Sequence, residues 1–146
     1  MDVPLNFLAI GVTVVVLIAL GSIWFGPLFG KAYMKEVGVS PEDVEKFKTD
    51  PEAKNKMMKS YMLMAINSVF MVFAVAISLV FITAYLHLTP VIAGVKVAFM
   101  SWLGFVMPVS MGGVLWENKS WKWWKITSGY YLVALLVAGI ILALWV

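Results

Sequence analysis

Four stretches of the chain stay apolar for about 20 residues each, with short polar segments between them. The spans are about 5–26, 61–87, 96–115 and 126–146. Apart from His87 and Lys96 at their edges, they hold no Asp, Glu, Lys, Arg or His. Runs of this kind read as membrane-crossing helices, because a central charge costs about 2.5–3.5 kcal/mol on insertion. A helix also satisfies its own backbone where no water is available. The pattern predicts an all-α protein, a single domain over 1–146 built as an integral membrane four-helix bundle. The first span is expected to be retained. Its lead, MDVPLN, has no Lys or Arg, and its exit, GPLFGK, lacks a small-x-small cleavage site.

The polar segment after the first span is long and carries helix signals, so residues 27–60 are predicted to form a helical hairpin. Gly38 suits the end of a helix that starts near Pro27. Ser40, Pro41 and Asp43 form an N-cap, first-turn proline and capping box, and predict a short helix to about Lys48. Asp50 and Pro51 repeat the start signal, and nothing breaks the pattern again before Thr89–Pro90. The second span is therefore expected to be the upper part of one long helix.

Charge adds orientation. All 11 basic residues are lysines: seven lie between residues 31 and 59, three are Lys119, Lys122 and Lys125, and one is Lys96. The positive-inside rule then puts loops 27–60 and 116–125 in the cytoplasm and both termini outside, in an inner or plasma membrane. Six acids offset the seven lysines of the first loop, which argues against nucleic-acid binding and for contact with lipid head groups. The turn WENKSWKWWK reads as an aromatic belt with snorkelling lysines. With no cysteine, disulfides and thiolate chemistry are excluded.

Small residues and prolines interrupt two of the spans. Ser22, Gly26 and Gly30 recur every four residues around Pro27, and Gly104, Pro108 and Gly112 do the same in the third span. Such series let membrane helices approach closely, so a tight crossing of the first and third spans is expected. Ala134/Ala138 and Gly139/Ala143 are weaker pairs in the fourth. Each proline removes a backbone donor and pushes on the carbonyl four residues earlier, predicting either a kink or a break and restart.

Candidates for chemistry are few. Trp24, Asn67, Ser101, Ser110, His87 and Glu117 are the residues that suit a ligand or pore lining. Asn67 should face other helices, because its amide needs partners. Glu117 is expected to pair with Lys31, Lys119 or Lys122. Ten methionines are unusual, and Met107/Met111 is a pair whose thioethers suit soft Cu(I); packing is the simpler use, and no metal or cofactor is assigned. No acidic pair, HExxH spacing or phosphate-cradling glycine loop is present, so no catalytic residue is assigned and no enzyme is expected.

The run GSIWFGPLFGKAYMKEVG, together with WLGFVMPVSMGGVLWENKSWKWWKITSGYYLVALLVAGIILALW, resembles the domain of unknown function 1761 family of small prokaryotic membrane proteins. The likeness covers nearly the whole chain. It implies a four-helix integral membrane protein and brings no catalytic residue with it. The function expected is non-enzymatic: a structural, lipid- or partner-binding membrane protein that forms a homo-oligomer or binds a membrane-protein partner. The alternative is an oligomeric channel or transporter for a small solute or soft metal ion. The lysine distribution has a direct check. In a Lys46→Cys variant, a membrane-impermeant thiol reagent should leave intact cells unlabelled and should label opened ones; labelling of intact cells would reverse the orientation.

Overall fold

Residues 5–145 are described by the computed structural model. Residues 1–4, with Asp2 among them, and Val146 lie outside the described residues. Within them the chain is helical and contains no strand. Four helical stretches are long and apolar enough to cross a membrane: Phe7–Leu28, Pro51–Leu86, Pro90–Trp116 and Trp121–Ala143.

Helix α1 (Phe7–Ile23) starts at Asn6, whose side chain accepts the Ala9 N–H. It does not end at Gly26 and restart at Pro27. Instead it widens into a π-helical turn, Trp24–Leu28, with Pro27 inside. The Phe29 N–H bonds back five residues to the Trp24 carbonyl at 2.8 Å. One extra residue in the turn accommodates both defects of a proline, the missing donor and the crowded carbonyl behind it. Gly30 follows because a Cβ there would stand 2.6 Å from the Phe25 carbonyl oxygen. The third span repeats the device. Helix α5 and helix α6 (Pro90–Ser101 and Met107–Trp116) are joined by a second π-helical turn, Trp102–Val106, just ahead of Pro108. Its closing bond runs from the Met107 N–H to the Trp102 carbonyl, again five residues back.

Between these lie helix α2 (Gly30–Glu36), helix α3 (Pro41–Thr49) and helix α4 (Pro51–Leu86). Gly38, at φ 73°, ends α2 in a Schellman motif, with Val39 N–H to Met34 O at 2.9 Å and Gly38 N–H to Lys35 O at 3.4 Å. The Ser40–Asp43 capping box is complete. The Ser40 backbone N–H and hydroxyl hold the Asp43 carboxyl below the usual carboxylate range, which keeps it ionised and the box closed at neutral pH. Helix α4 has 36 residues and so extends about 54 Å, well beyond the roughly 30 Å of a bilayer core. Lys96 lies within α5, exposed, seven residues into the helix.

Helix α7 (Trp121–Ala143) is the centre of the packing. Half of its apolar stretch is buried within the protein, against 28% for Phe7–Leu28 and 22% for the other two spans. It packs against α1, α4, α5 and α6, while α4 packs against α1 and α5. The closest approach is between α5 and α7, where a Cβ on either Gly94 or Gly139 would overlap the other's carbonyl. Ala93, Ala98, Ala134, Ala138 and Ala143 extend this buried small-residue seam.

The crossing expected between the first and third spans is therefore absent. Among the described residues, α1 and the α5–α6 helix both pack on α4 and α7 and share no extended contact with each other. A Cβ added at Gly26 or Gly104 would meet no atom within 4 Å. Gly112 meets only the Trp116 side chain at 4.0 Å, and Ser22 is exposed with its hydroxyl bonded to the Ile18 carbonyl. Small residues at helical spacing define a possible interface, but a partner with a matching face decides which one forms. Gly139→Ala should destabilise the protein by about 1–3 kcal/mol through backbone overlap. Gly104→Ala should be neutral or stabilising by up to about 1 kcal/mol, since it only raises helix propensity. Unfolding in mixed micelles at increasing denaturing-detergent fraction reads both; equal losses would contradict the seam.

Candidate binding cleft

The two π-helical turns aim tryptophans at the same neighbour. Trp24 Nε1 donates to the Ile126 carbonyl at 3.1 Å. Trp102 Nε1 donates to the Ser128 carbonyl at 2.9 Å and also lies 3.1 Å from the Ser128 hydroxyl oxygen. Both acceptors belong to the first turns of α7, where a carbonyl has a second lone pair free beside its helical bond. An indole N–H left unpaired away from water is costly, so these bonds fix α7 between its two flanking helices. The Trp24 ring lies against Gly129, 3.5 Å from where a Cβ would stand, an ordinary packing contact. A third indole, Trp124 Nε1, donates to the Ser110 hydroxyl at 3.0 Å.

On the other side of α7 the helices separate. A cleft of about 780 Å³ opens between α1, α4 and α7. Its wall on α4 is Met58, Tyr61, Met64, Ala65 and Ser68, and on α7 it is Thr127, Tyr130 and Tyr131. Ile18, Gly21, Ser22, Phe25 and Gly26 close it along α1, and Tyr33 of α2 completes the lining. The rings form a connected series. Phe25 meets Tyr33 at 4.9 Å and Tyr130 at 5.0 Å between centroids, and Tyr130 meets Tyr131 at 5.2 Å. These are inclined or edge-on contacts of the kind aromatic pairs favour. A recess of about 300 Å³ adjoins the cleft, sharing Met64, Ser68, Tyr130 and Tyr131 and adding Asn67 and Met71.

The lining contains no Asp, Glu, Lys, Arg or His. Its polar groups are hydroxyls. Ser22 and Ser68 return theirs to carbonyls of their own helices, Ile18 and Met64, and Tyr130 reaches the Leu17 carbonyl at 3.4 Å. The Thr127 hydroxyl is buried and has no partner. At the polar end, Glu36 accepts from the Ser120 hydroxyl and lies 3.9 Å from Lys122 Nζ, tying α2 to the start of α7.

Residues 8–143 match the model of the family described as protein of unknown function (DUF1761). The chain belongs to that family. No curated protein and no solved structure matches it. The DUF1761 match covers both π-helical turns and the whole cleft lining, so the geometry above lies within the family's extent.

In this DUF1761 protein the residues singled out from sequence fall in different places. Ser22 and Gly26 line the cleft, which therefore reaches the Pro27 turn, and Asn67 borders the adjoining recess. Asn67 is exposed, and it shares that recess with Tyr130 and Tyr131 of α7. Trp24 belongs to the contact with α7, and Ser110 holds Trp124. Ser101 precedes the second π-helical turn, and Pro108 follows it; neither borders the cleft. His87 caps α4 with left-handed backbone, φ 50°, and is exposed. Glu117 lies exposed in the turn after α6, and the acid that Lys122 meets is Glu36. Met107 and Met111 sit on α6 outside the cleft, and no three of His, Cys, Asp or Glu cluster among the described residues. The WENKSWKWWK turn splits: Trp116 and Trp121 face outward, while Trp123 covers Gly113 and Trp124 bonds Ser110.

Phe25, Tyr33, Met58, Tyr61, Met64 and Tyr130 are cleft residues that sequence reasoning did not pick as a site. A signal existed. Thr127, Tyr130 and Tyr131 share one face at i, i+3 and i+4, as do Met58, Tyr61, Ala65 and Ser68.

Proposed function

We propose that this protein is a multi-pass, non-enzymatic membrane protein, folded as a four-helix bundle, that holds a membrane amphiphile in the cleft between α1, α4 and α7. The observation that carries the reading is the cleft itself: about 780 Å³, charge-free, and lined by aromatic, methionine and hydroxyl groups. That size and lining suit a small organic molecule.

The surface supports a bilayer setting. Large apolar side chains stand outward along every span, among them Phe7, Phe70, Phe105 and Val109. Accessible area is 9611 Å², against about 7,500 Å² for a compact soluble chain of this mass. Outward-facing apolar side chains of this kind are unfavourable in water and suited to lipid. The contacts of Glu36 with Ser120 and Lys122 support a common side for loops 27–60 and 116–125, and the lysine bias makes that side cytoplasmic. The channel or transporter reading has less support, because Asn67 borders the recess whereas Ser101 and Ser110 do not border either cavity.

Ala65→Trp, which fills the cleft, provides the test. Wild-type protein purified in mild detergent should carry close to one equivalent of an extractable amphiphile, and the variant should carry several-fold less at unchanged helicity and elution volume. Equal amounts in the two, or none in the wild type, would overturn the reading.

A further inference from the structure

We infer that the cleft takes one electrically neutral amphiphile with a single apolar chain, whose polar end presents an oxygen acceptor to hydroxyl donors of the wall. This rests on the cleft being a binding site and goes on to name what it selects.

Three observations converge. First, the 14 lining residues include no formal charge of either sign. An anionic head group brought among them would give up its hydration without gaining a cation, which is strongly unfavourable. Second, the polar groups of the wall are hydroxyls, which can donate to an uncharged oxygen without any charge being buried. The Ser22 and Ser68 hydroxyls are committed to carbonyls of their own helices, and that of Thr127 is itself closed off from the open space. Tyr33, Tyr61 and Tyr131 bring further phenol groups to the same space. A carbonyl, ether or hydroxyl oxygen on the ligand meets these donors without carrying charge. Third, volume limits length. At about 30 Å³ per water-sized group, 780 Å³ holds on the order of 25 such groups. A single-chain amphiphile fits that limit, and an ordinary two-chain phospholipid exceeds it. The aromatic series Tyr33–Phe25–Tyr130–Tyr131 and the thioethers of Met58 and Met64 supply a wall for the chain.

Competition in native mass spectrometry tests the inference. Delipidated full-length protein in a neutral detergent, at mildly alkaline pH, is offered equimolar monoolein, oleate, oleylamine and dioleoylphosphatidylglycerol. The expected result is one monoolein adduct per chain, in several-fold excess over each other probe. Tyr131→Phe should weaken that adduct by about three- to tenfold, the loss of one hydrogen bond. Ala65→Trp should abolish it, with Ser22→Phe as a second filling variant should the first fail to fold. Preferential binding of oleate, oleylamine or the phospholipid that disappears in the filled variants would overturn the ligand class while leaving the cleft as the site. Adducts that persist undiminished in both filled variants, or none at all, would overturn the cleft reading as well. Monoolein binding unaffected by Tyr131→Phe would overturn recognition through that hydroxyl.

Discussion

A proline inside a helix has no water to turn to in an apolar setting, and the fold is organised around how two such prolines are accommodated. Pro27 and Pro108 each disturb a helix of membrane-crossing length. Both helices respond by widening for one turn, so that a bond spanning five residues replaces the usual one. The first residue of each widened turn is a tryptophan, and each indole donates to a carbonyl of α7. The defect thus becomes an attachment. It leaves α7 fixed from both sides, with Thr127, Tyr130 and Tyr131 turned to the cleft that α7 shares with α1 and α4.

Local patterns in the sequence were sufficient for much of this architecture. The spans follow from uncharged length, and Ser40, Asp43, Asp50 and Gly38 specify the short helices through caps that act within a few residues. Partner choice between helices was not legible in the same way. Apolar helices with no polar face offer no amphipathic pattern to orient them. A small-residue series then indicates where backbones can meet, without saying whose. Gly94, next to Lys96 and outside any obvious series, forms the tightest contact with Gly139, while the more regular Gly26 and Gly104 face open space. The prolines announced a disturbance, but the widened turns that accommodate them, each opening on a tryptophan bonded to α7, were not legible in the sequence.

The cleft was half legible for a related reason. Each wall is a helical face: Thr127, Tyr130 and Tyr131 on α7, and Met58, Tyr61, Ala65 and Ser68 on α4. Their juxtaposition requires the packing arrangement that the sequence leaves open. It also depends on Gly21 and Gly26, which leave room along α1; a side chain at Gly21 would press on the Tyr130 hydroxyl at 3.1 Å. Glycines that looked like packing devices serve here to keep space open. The polar groups that remain are hydroxyls, so the cleft is polar in places without a buried charge.

The attachment of α7 by the two indoles is the claim on which the cleft geometry rests, and hydrogen exchange at the tryptophan side chains tests it most directly. In ¹⁵N-labelled protein in micelles, the Nε1–H signals of Trp24 and Trp102 should exchange with deuterated solvent far more slowly than those of Trp116 and Trp121, which are exposed. Assignment by single Trp→Phe variants identifies each signal. Slow exchange at Trp24 and Trp102 is the predicted result; exchange as fast as at Trp116 would mean that neither indole holds α7, and would contradict the account.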